Sequence, residues 1–377
     1  MSERLDVFEN TLADLHRRGF KTINLDELYA HMSGAKKAPP DSVVLTFDDG
    51  YLDNWVYVAP LLRKYGMCGI VYVSPDFVQP AGEIRPTLVD QQSGLIECGA
   101  LPDFGFMNWH ELRILDDEGV LEVQSHALTH TWYFSEPTVI DIHQPRDIYP
   151  YPWLSWNARP ERKPYYLNED QQHFVPWGLP VFRHEKALIT RRFIPERDLL
   201  KEITKYVEDA GGAAYFDRPD WRATLSKRFS CLSAGADFPG IRESREEYRA
   251  RVLDELIRSR KIIGDELGRE VRFLSWPGGG VNNEAAELAI EAGYVSWTLS
   301  SWQKPSLRNR PGTDPAGIKR VAGRSKVHWR GRWIRDGGSW WIVQRMLAHQ
   351  GSLLSSLRAN VRKLLWFLGD DSRGKSS

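Results

Sequence analysis

The chain has 377 residues, and its 50 lysines and arginines balance 50 aspartates and glutamates, so the formal net charge is zero. This balance gives no electrostatic support for a nucleic-acid partner. The length is sufficient for one large domain with additions or for two domains. Three widely spaced cysteines, Cys68, Cys98 and Cys231, argue against a disulfide framework or a cysteine-based zinc site. The opening MSERLDVFENTLADLHRRG carries charges where a signal peptide needs an apolar core, so we expect a helix there and a cytoplasmic protein.

Short strand-like runs alternate with helical patterns from the second element onwards. After the helix LDVFENTLADLHRRG, the predicted strands are KTIN, SVVLTF, GIVYV, VLEVQS, VRFLSW, YVSWTLS and IKRVA. Such alternation predicts an α/β fold with about seven parallel strands, open or closed into a barrel. In either form, functional groups belong in the loops at the carboxyl ends of the strands.

Two segments depart from this alternation. Residues 134–243 are too long for an ordinary connection and begin with the aromatic, proline-rich run YPYPWLSWNARPERKPYY. Because they follow a strand, we expect them to cover the active face of a domain spanning 1–324, as a carbohydrate groove or as a packed subdomain. Residues 325–377 form a C-terminal extension with a predicted amphipathic helix. That helix could pack on its own domain, on a partner, or on a membrane surface through residues 340–368.

Two motifs carry the candidate chemistry. The strand in SVVLTFDDGY ends in Asp48 and Asp49, and the strand in VQSHALTH ends in His126 and His130. Adjacent carboxylates at a buried strand end require a cation or a shared proton, and histidines four residues apart have a metal-ligand spacing. One aspartate and two histidines could hold Zn²⁺, Co²⁺, Ni²⁺, Mn²⁺ or Fe²⁺, while the other aspartate acts as a base toward water held by the metal. This set suits hydrolysis of an amide or an ester.

The runs LTFDDGY, SHALTH and FLSWPGGGVN, in this order, resemble motifs of the polysaccharide deacetylase family, the NodB-homology domain of carbohydrate esterase family 4. The resemblance covers residues 5–133 and 244–323. It implies a distorted (β/α) barrel and metal-dependent, commonly zinc-dependent, removal of acetyl from an N-acetylated sugar. It also implies Asp48 as the catalytic base, Asp49, His126 and His130 as the metal ligands, and the Gly278 N–H as a donor to the oxyanion.

The chain departs from that family at two positions. Ser275 occupies the place of an arginine that pairs with the catalytic aspartate in many members, and Arg320 or Arg183 could substitute for it. The late Leu-x-x-His motif, whose histidine protonates the leaving amine, is not visible. His184 and His328 are the candidate general acids, and we favour His184 because it lies in the segment expected to cover the site.

The expected substrate is an acetylated amino-sugar glycan, or a lipid-linked or nucleotide-linked precursor, processed in the cytoplasm or at the inner face of the membrane. Tyr51, Trp177 and Trp276 are the candidate substrate-binding aromatics. Two other functions stay open on the sequence alone. One is a catalytically silent glycan-binding protein on the same fold, and the other is a metal amidohydrolase acting on a non-sugar amide.

Overall fold

The computed structural model describes residues 3–80, 82–102, 104–232, 238–299, 308–329 and 332–371. The strands are β1 Lys21–Thr22, β2 Ser42–Val43, β3 Thr46–Phe47, β4 Gly69–Val73, β5 Leu121–Ser125, β6 Trp132–Ile142, β7 Pro180–Lys186, β8 Phe193–Pro195, β9 Gly240–Arg242, β10 Phe273–Leu274, β11 Ser296–Leu299, β12 Gly317–Lys319, β13 Lys326–Trp329 and β14 Arg332–Asp336. The helices are α1 Leu5–Arg17, α2 Leu25–Ser33, α3 Ala59–Lys64, α4 Leu88–Gln92, α5 Trp109–Asp117, α6 Pro152–Ala158, α7 Arg197–Asp209, α8 Trp221–Leu232, α9 Arg245–Leu267, α10 Asn283–Glu291, α11 Gly338–His349 and α12 Leu353–Asp371.

The central sheet is parallel and has six strands in the order β12-β11-β10-β5-β4-β3. It curls into a half-barrel, which confirms the α/β prediction. The strand count differs from the predicted seven because β1 forms only a two-residue parallel pair with β2, outside the main sheet. All five residues of β4 are buried, as expected for a strand covered on both faces.

The helices around this sheet begin and end where their sequences indicate. In α9 the Ser244 hydroxyl accepts from the Glu247 N–H, the Glu247 carboxylate accepts from the Ser244 N–H, and Gly268 ends the helix in a left-handed conformation. α9 buries Val252, Leu256 and other side chains in the main core, which also holds alternate residues of β4 and β5. This packing fixes the strand ends that carry the polar motifs.

The segment from β6 to β9, residues 132–242, is called the insertion below, and it contains its own sheet pairs and its own core. β6 and β7 form an antiparallel hairpin that pairs Trp132 with Lys186, and β8 pairs with β9. One apolar cluster lies within the insertion and includes Phe182 and Ile203. A second cluster packs insertion tryptophans against aromatic side chains from the loops after β4 and before α5. The insertion is therefore a packed subdomain that also contacts the loops at the strand ends.

The C-terminal extension adds a hairpin and two helices. β13 and β14 pair in an antiparallel hairpin that the sequence did not predict. α11 packs against α1, and α12, the predicted amphipathic helix, packs against α11. Within the described ranges, no helix is both long enough and apolar enough to cross a bilayer.

Candidate metal centre and active site

Two strands that flank β4 end in the predicted polar residues. Asp48 and Asp49 follow β3, and His126 follows β5. Asp49 and His130 have φ angles of 71° and 42°, a left-handed backbone that costs non-glycine residues about 1–3 kcal/mol each. The buried Glu255 stabilises the histidine loop because its carboxylate accepts hydrogen bonds from the Thr129 N–H and hydroxyl.

The Asp49 carboxylate and the two imidazoles converge. Asp49 Oδ1 lies 3.3 Å from His126 Nε2 and 3.4 Å from His130 Nε2, and the three donor atoms all lie within 4.8 Å of one another. His126 Nδ1 lies 2.7 Å from the Ser275 carbonyl oxygen, which can only accept, so Nδ1 carries a proton. In a neutral His126 the Nε2 lone pair then faces the carboxylate, and a divalent cation between them would satisfy both acceptors. The donor set fits zinc and the other divalent metals named above.

Electrostatics favour the ligating forms of Asp49 and His130. Burial by itself would raise the pKa of Asp49, but hydrogen bonding to His126 and the charges of both imidazoles bring that pKa down to about 2. Burial lowers the pKa of His130 to about 4. At neutral pH Asp49 is therefore ionised and His130 is neutral, and these are the forms that a metal binds.

Asp48 turns to a different partner. Arg320 Nη1 and Nη2 donate to the two Asp48 carboxylate oxygens at 2.7 and 2.9 Å, and the Ser275 hydroxyl donates to Oδ1 at 3.3 Å. Burial would raise the pKa of Asp48, but the charges of His126 and Arg320 outweigh it and lower that pKa. Of the two candidate arginines, Arg320 is the one that pairs with Asp48, whereas Arg183 pairs with Glu136 in the insertion.

Tyr51 links the metal cluster to the insertion. Burial and the neighbouring Asp49 carboxylate and Tyr166 hydroxyl raise the pKa of Tyr51. The Tyr51 hydroxyl therefore stays protonated at neutral pH beside the Asp49 carboxylate. The predicted site residue Tyr51 thus lies beside a ligand, and Tyr166 was missed.

Aromatic side chains surround His130. Its ring centroid lies 5.6 Å from that of Trp132 and 6.1 Å from that of Phe77, and Trp156 packs edge-on against Phe77 at 5.0 Å. Trp132 and Trp156 belong to the insertion, which therefore reaches the metal cluster. The many aromatic residues of this segment were the sequence signal for a role at the site. Composition alone did not indicate which of their rings lie near His130.

The Gly278 turn is covered by a lysine from the insertion. Gly278 has a φ of 55°, and a Cβ there would lie 3.0 Å from Lys186 Cε, while a Cβ on Gly280 would overlap Lys186 Cδ. The Lys186 side chain thus crosses the turn whose Gly278 N–H is the predicted oxyanion donor. Lys186 was not among the sequence candidates, because its position depends on the β6–β7 hairpin register.

Two of the predicted sugar contacts need correction. Trp276 is 1% exposed and packs against Trp297 in the main core, so it offers no surface for a sugar. Trp177 stacks on His143, with ring centroids 4.6 Å apart, as part of the insertion's own packing. The aromatic rings near the metal cluster are those of Tyr51, Trp132 and residues packed on them.

The predicted general acid His184 lies on β7 opposite Phe134. Its Nδ1 lies 3.1 Å from the Phe182 carbonyl oxygen, and its ring packs against Tyr151 and Trp153. Within the described ranges these contacts all belong to the insertion, so the role of His184 stays a prediction. The side chain of the other candidate, His328, lies outside what the structure describes.

The motifs and the site geometry agree with the comparison to known families. Residues 35–162, which include Asp48, Asp49, His126 and His130, match the family model for polysaccharide deacetylase. This part of the chain is therefore similar to the polysaccharide deacetylases. This match confirms the resemblance that the motifs indicated.

Two curated bacterial proteins are also similar to parts of this chain. YxkH of Bacillus subtilis (strain 168), provisionally named a polysaccharide deacetylase, is 36% identical over 66 residues, which are 18% of this chain and 24% of YxkH. The poly-beta-1,6-N-acetyl-D-glucosamine N-deacetylase of Escherichia coli (strain K12) is 26% identical over 127 residues, 34% of this chain and 18% of that enzyme. The chain therefore spans a quarter or less of the length of these relatives. Among solved structures, the deacetylase domain of BpsB from Bordetella bronchiseptica aligns with a TM-score of 0.47 and 21% identity, covering 80% of this chain and 79% of that one.

Proposed function

We propose that the protein is a metal-dependent hydrolase that removes the acetyl group from an N-acetylated sugar in a glycan or a glycan precursor. The observation that carries this proposal is the convergence of Asp49, His126 and His130 beside Asp48, which Arg320 holds ionised. The relatives support the substrate class, because one of them is named for deacetylating a polymer of N-acetylglucosamine.

Each residue of the site has a separate task in this proposal. Asp49, His126 and His130 would hold a divalent cation, most simply Zn²⁺, which would polarise the amide carbonyl and acidify water at the site. Asp48 takes a proton from the attacking water, with its carboxylate oriented by Arg320 and Ser275. Tyr51 fixes the orientation of the Asp49 carboxylate.

The Gly278 N–H donates to the oxygen on which negative charge develops. A single donor placed at that position contributes about 3–4 kcal/mol to the transition state in comparable hydrolases. Expulsion of the amine also needs a proton donor, and His184 is still the proposed one. The described contacts of His184 lie within the insertion, so this role requires its imidazole to reach the leaving amine from the insertion.

The substrate and the place of action are proposed more broadly. We favour an acetylated amino sugar in a polymer or in a lipid-linked or nucleotide-linked precursor, bound beneath the aromatic rings of the insertion near His130. Cytoplasmic action, at or near the inner face of the membrane, stays a prediction from the sequence.

The test combines metal analysis with an activity assay. Bound metal is measured on purified wild-type protein and on Asp48→Asn, His126→Ala/His130→Ala and Asp117→Asn variants. Acetate release is then followed from oligosaccharides of β-1,6-linked N-acetylglucosamine. We expect Asp48→Asn to keep the metal and lose at least about 100-fold in rate, because general-base catalysis contributes about that much.

The other variants separate binding from chemistry. The double histidine variant should lose the metal and the activity together, while Asp117→Asn, a change of an exposed aspartate at the end of α5, should behave as wild type. A folded wild-type protein that takes up no divalent metal and releases no acetate would refute the proposal.

A further inference from the structure

The last described helix turns its apolar residues outward. Six aliphatic side chains of α12 are between 46% and 86% exposed: Leu353, Leu354, Leu357, Val361, Leu364 and Leu365. At about 100° per residue, these positions fall within an arc of about 120° on the helix surface. A contiguous apolar stripe that a folded chain leaves in water commonly marks an interaction surface.

The opposite side of α12 already anchors the helix to the protein. Ser355 and Ala359 are the residues that it buries, and the Trp366 ring packs against Trp340 and Trp341 with centroids 6.2 and 5.9 Å away. A helix that served only to pack on its domain would turn its leucines inward. Among the residues that the structure describes, none covers the leucine stripe, which is therefore available to bind a partner surface.

The charge of α12 indicates what the stripe meets. From Leu353 to Phe367 the sequence contains no aspartate or glutamate, but it contains Arg358, Arg362 and Lys363, although the whole chain has no net charge. Arg358 is exposed at the edge of the stripe. Arg362 lies 5.7 Å from the ring of the partly exposed Trp340. These three features complement an anionic bilayer. The apolar stripe suits the acyl chains, the arginines suit the headgroup phosphates, and the tryptophan suits the interfacial layer.

We propose that α12 docks on the surface of an anionic lipid bilayer. The helix lies parallel to the membrane plane, with its leucine stripe among the upper acyl segments and its arginines at the headgroup phosphates. This inference goes beyond the proposed deacetylase activity and does not depend on it. Docking through α12 would hold the rest of the protein close to the bilayer surface.

Vesicle binding by the full chain tests this inference. Wild-type protein is sedimented with vesicles of phosphatidylcholine alone and with vesicles that also contain phosphatidylglycerol. We expect at least about tenfold tighter binding to the anionic vesicles, weakened by added salt. Leu357→Glu/Leu364→Glu should lose at least about tenfold in affinity, and Arg358→Glu should weaken binding to anionic vesicles only.

The matched control is Leu95→Glu, since Leu95 is 76% exposed but lies outside α12. It should bind vesicles as wild type does. Circular dichroism should show unchanged helix content in every variant, because the substituted side chains face solvent. The proposal is wrong if the wild type does not sediment with anionic vesicles, or if Leu357→Glu/Leu364→Glu binds as tightly as wild type. It is equally wrong if the stripe joins two copies of the chain. In that case light scattering would show a dimer that does not bind vesicles and that Leu357→Glu/Leu364→Glu converts to monomers.

Discussion

Asp48 and Asp49 are neighbours in the chain but belong to different networks. Asp49 faces two histidines, whereas Asp48 makes a two-point ion pair with Arg320. The left-handed backbone at Asp49 turns the second carboxylate away from the first. Two like charges are tolerated at one strand end because each has its own cationic partner, which is the arginine for Asp48 and either a protonated His126 or a metal for Asp49.

Arg320→Gln should impair catalysis without removing the metal. The substitution leaves Asp48 without its paired donor and loosens the carboxylate, so we expect kcat/KM to fall by about 10- to 100-fold. Arg320→Lys should recover part of the loss. The matched control is Arg183→Gln, which breaks only an ion pair in the insertion. Equal kcat/KM values for Arg320→Gln and wild type, at equal metal content, would exclude Arg320 as the positioning residue.

Gly280→Ala should destabilise the protein through Lys186. The φ of Gly280 is not left-handed, so the cost comes from contact between the new methyl group and the Lys186 side chain. We expect a loss of about 1–3 kcal/mol in the free energy of unfolding, as for other overpacked sites. Adding Lys186→Ala to Gly280→Ala should restore most of the lost stability. Gly278→Ala should destabilise the protein through backbone strain, because the φ of residue 278 is 55°. Urea unfolding of these three variants and the wild type measures this coupling, and its absence would show that Lys186 does not cross the turn.

Among the elements, the insertion shows how a buried histidine can make one segment acid-sensitive. His143 Nε2 lies 3.1 Å from the Gln172 carbonyl oxygen and Nδ1 lies 3.1 Å from the Tyr149 hydroxyl. The neutral ring therefore donates from Nε2 and accepts at Nδ1, and neither position needs a second proton. Burial lowers the pKa of His143 from 6.5 to about 4.

Acidification should therefore destabilise the insertion. Between about pH 6.5 and pH 4 the unfolded chain binds a proton at His143 that the folded chain does not, so stability falls as the pH is lowered through this window. The loss reaches at most about 3 kcal/mol at its lower end. His143→Gln should remove this part of the pH dependence, and His173→Gln, an exposed histidine of the same segment, should not. Free energies of unfolding at several pH values test this, and identical pH slopes for all three proteins would contradict it.

At the scale of the whole molecule, a buried lysine joins the insertion to the histidine loop, residues 126–131. Lys163 is 2% exposed, and its ammonium donates to Asp76 Oδ2 at 2.8 Å and to the Thr129 carbonyl oxygen at 3.0 Å. Asp76 follows β4, and Thr129 lies between His126 and His130. Lys163 therefore helps to hold the insertion and the histidine loop in register, together with the Thr131–Asn157 hydrogen bond and the aromatic packing around Phe77.

Lys163→Met should loosen this junction. The substitution leaves a carbonyl and a carboxylate without their donor, which costs about 1–3 kcal/mol. We expect faster hydrogen exchange in residues 126–131 and weaker metal binding. Lys201→Met, which breaks an exposed ion pair on α7, is the matched control. Unchanged exchange at the histidine loop would show that the insertion docks independently of Lys163.

Local sequence signals determined much of this protein. Strand-ending carboxylates, the four-residue histidine spacing and the alternation of helix and strand depend on nearby residues, so they predicted the α/β fold, the cluster of Asp49 with the two histidines, and the resemblance to polysaccharide deacetylases. The β13–β14 hairpin was missed, and the seventh strand proved to be a two-residue pair outside the sheet. Trp276 was misread because its strand periodicity does not say which face the core covers.

Only the tertiary structure decided which distant side chains meet. Arg320 lies 272 residues from Asp48 in sequence, Tyr166 lies beside Tyr51 near Asp49, and Lys186 crosses the Gly278 turn. The sequence also determined that α12 is amphipathic, but only its packing through Ser355 and Ala359 showed that the leucines face outward. The physical reason is the same in each case. Periodicity and motif spacing are set by a few adjacent residues, whereas partner choice and the direction of a helix face are set by contacts between segments far apart in the chain.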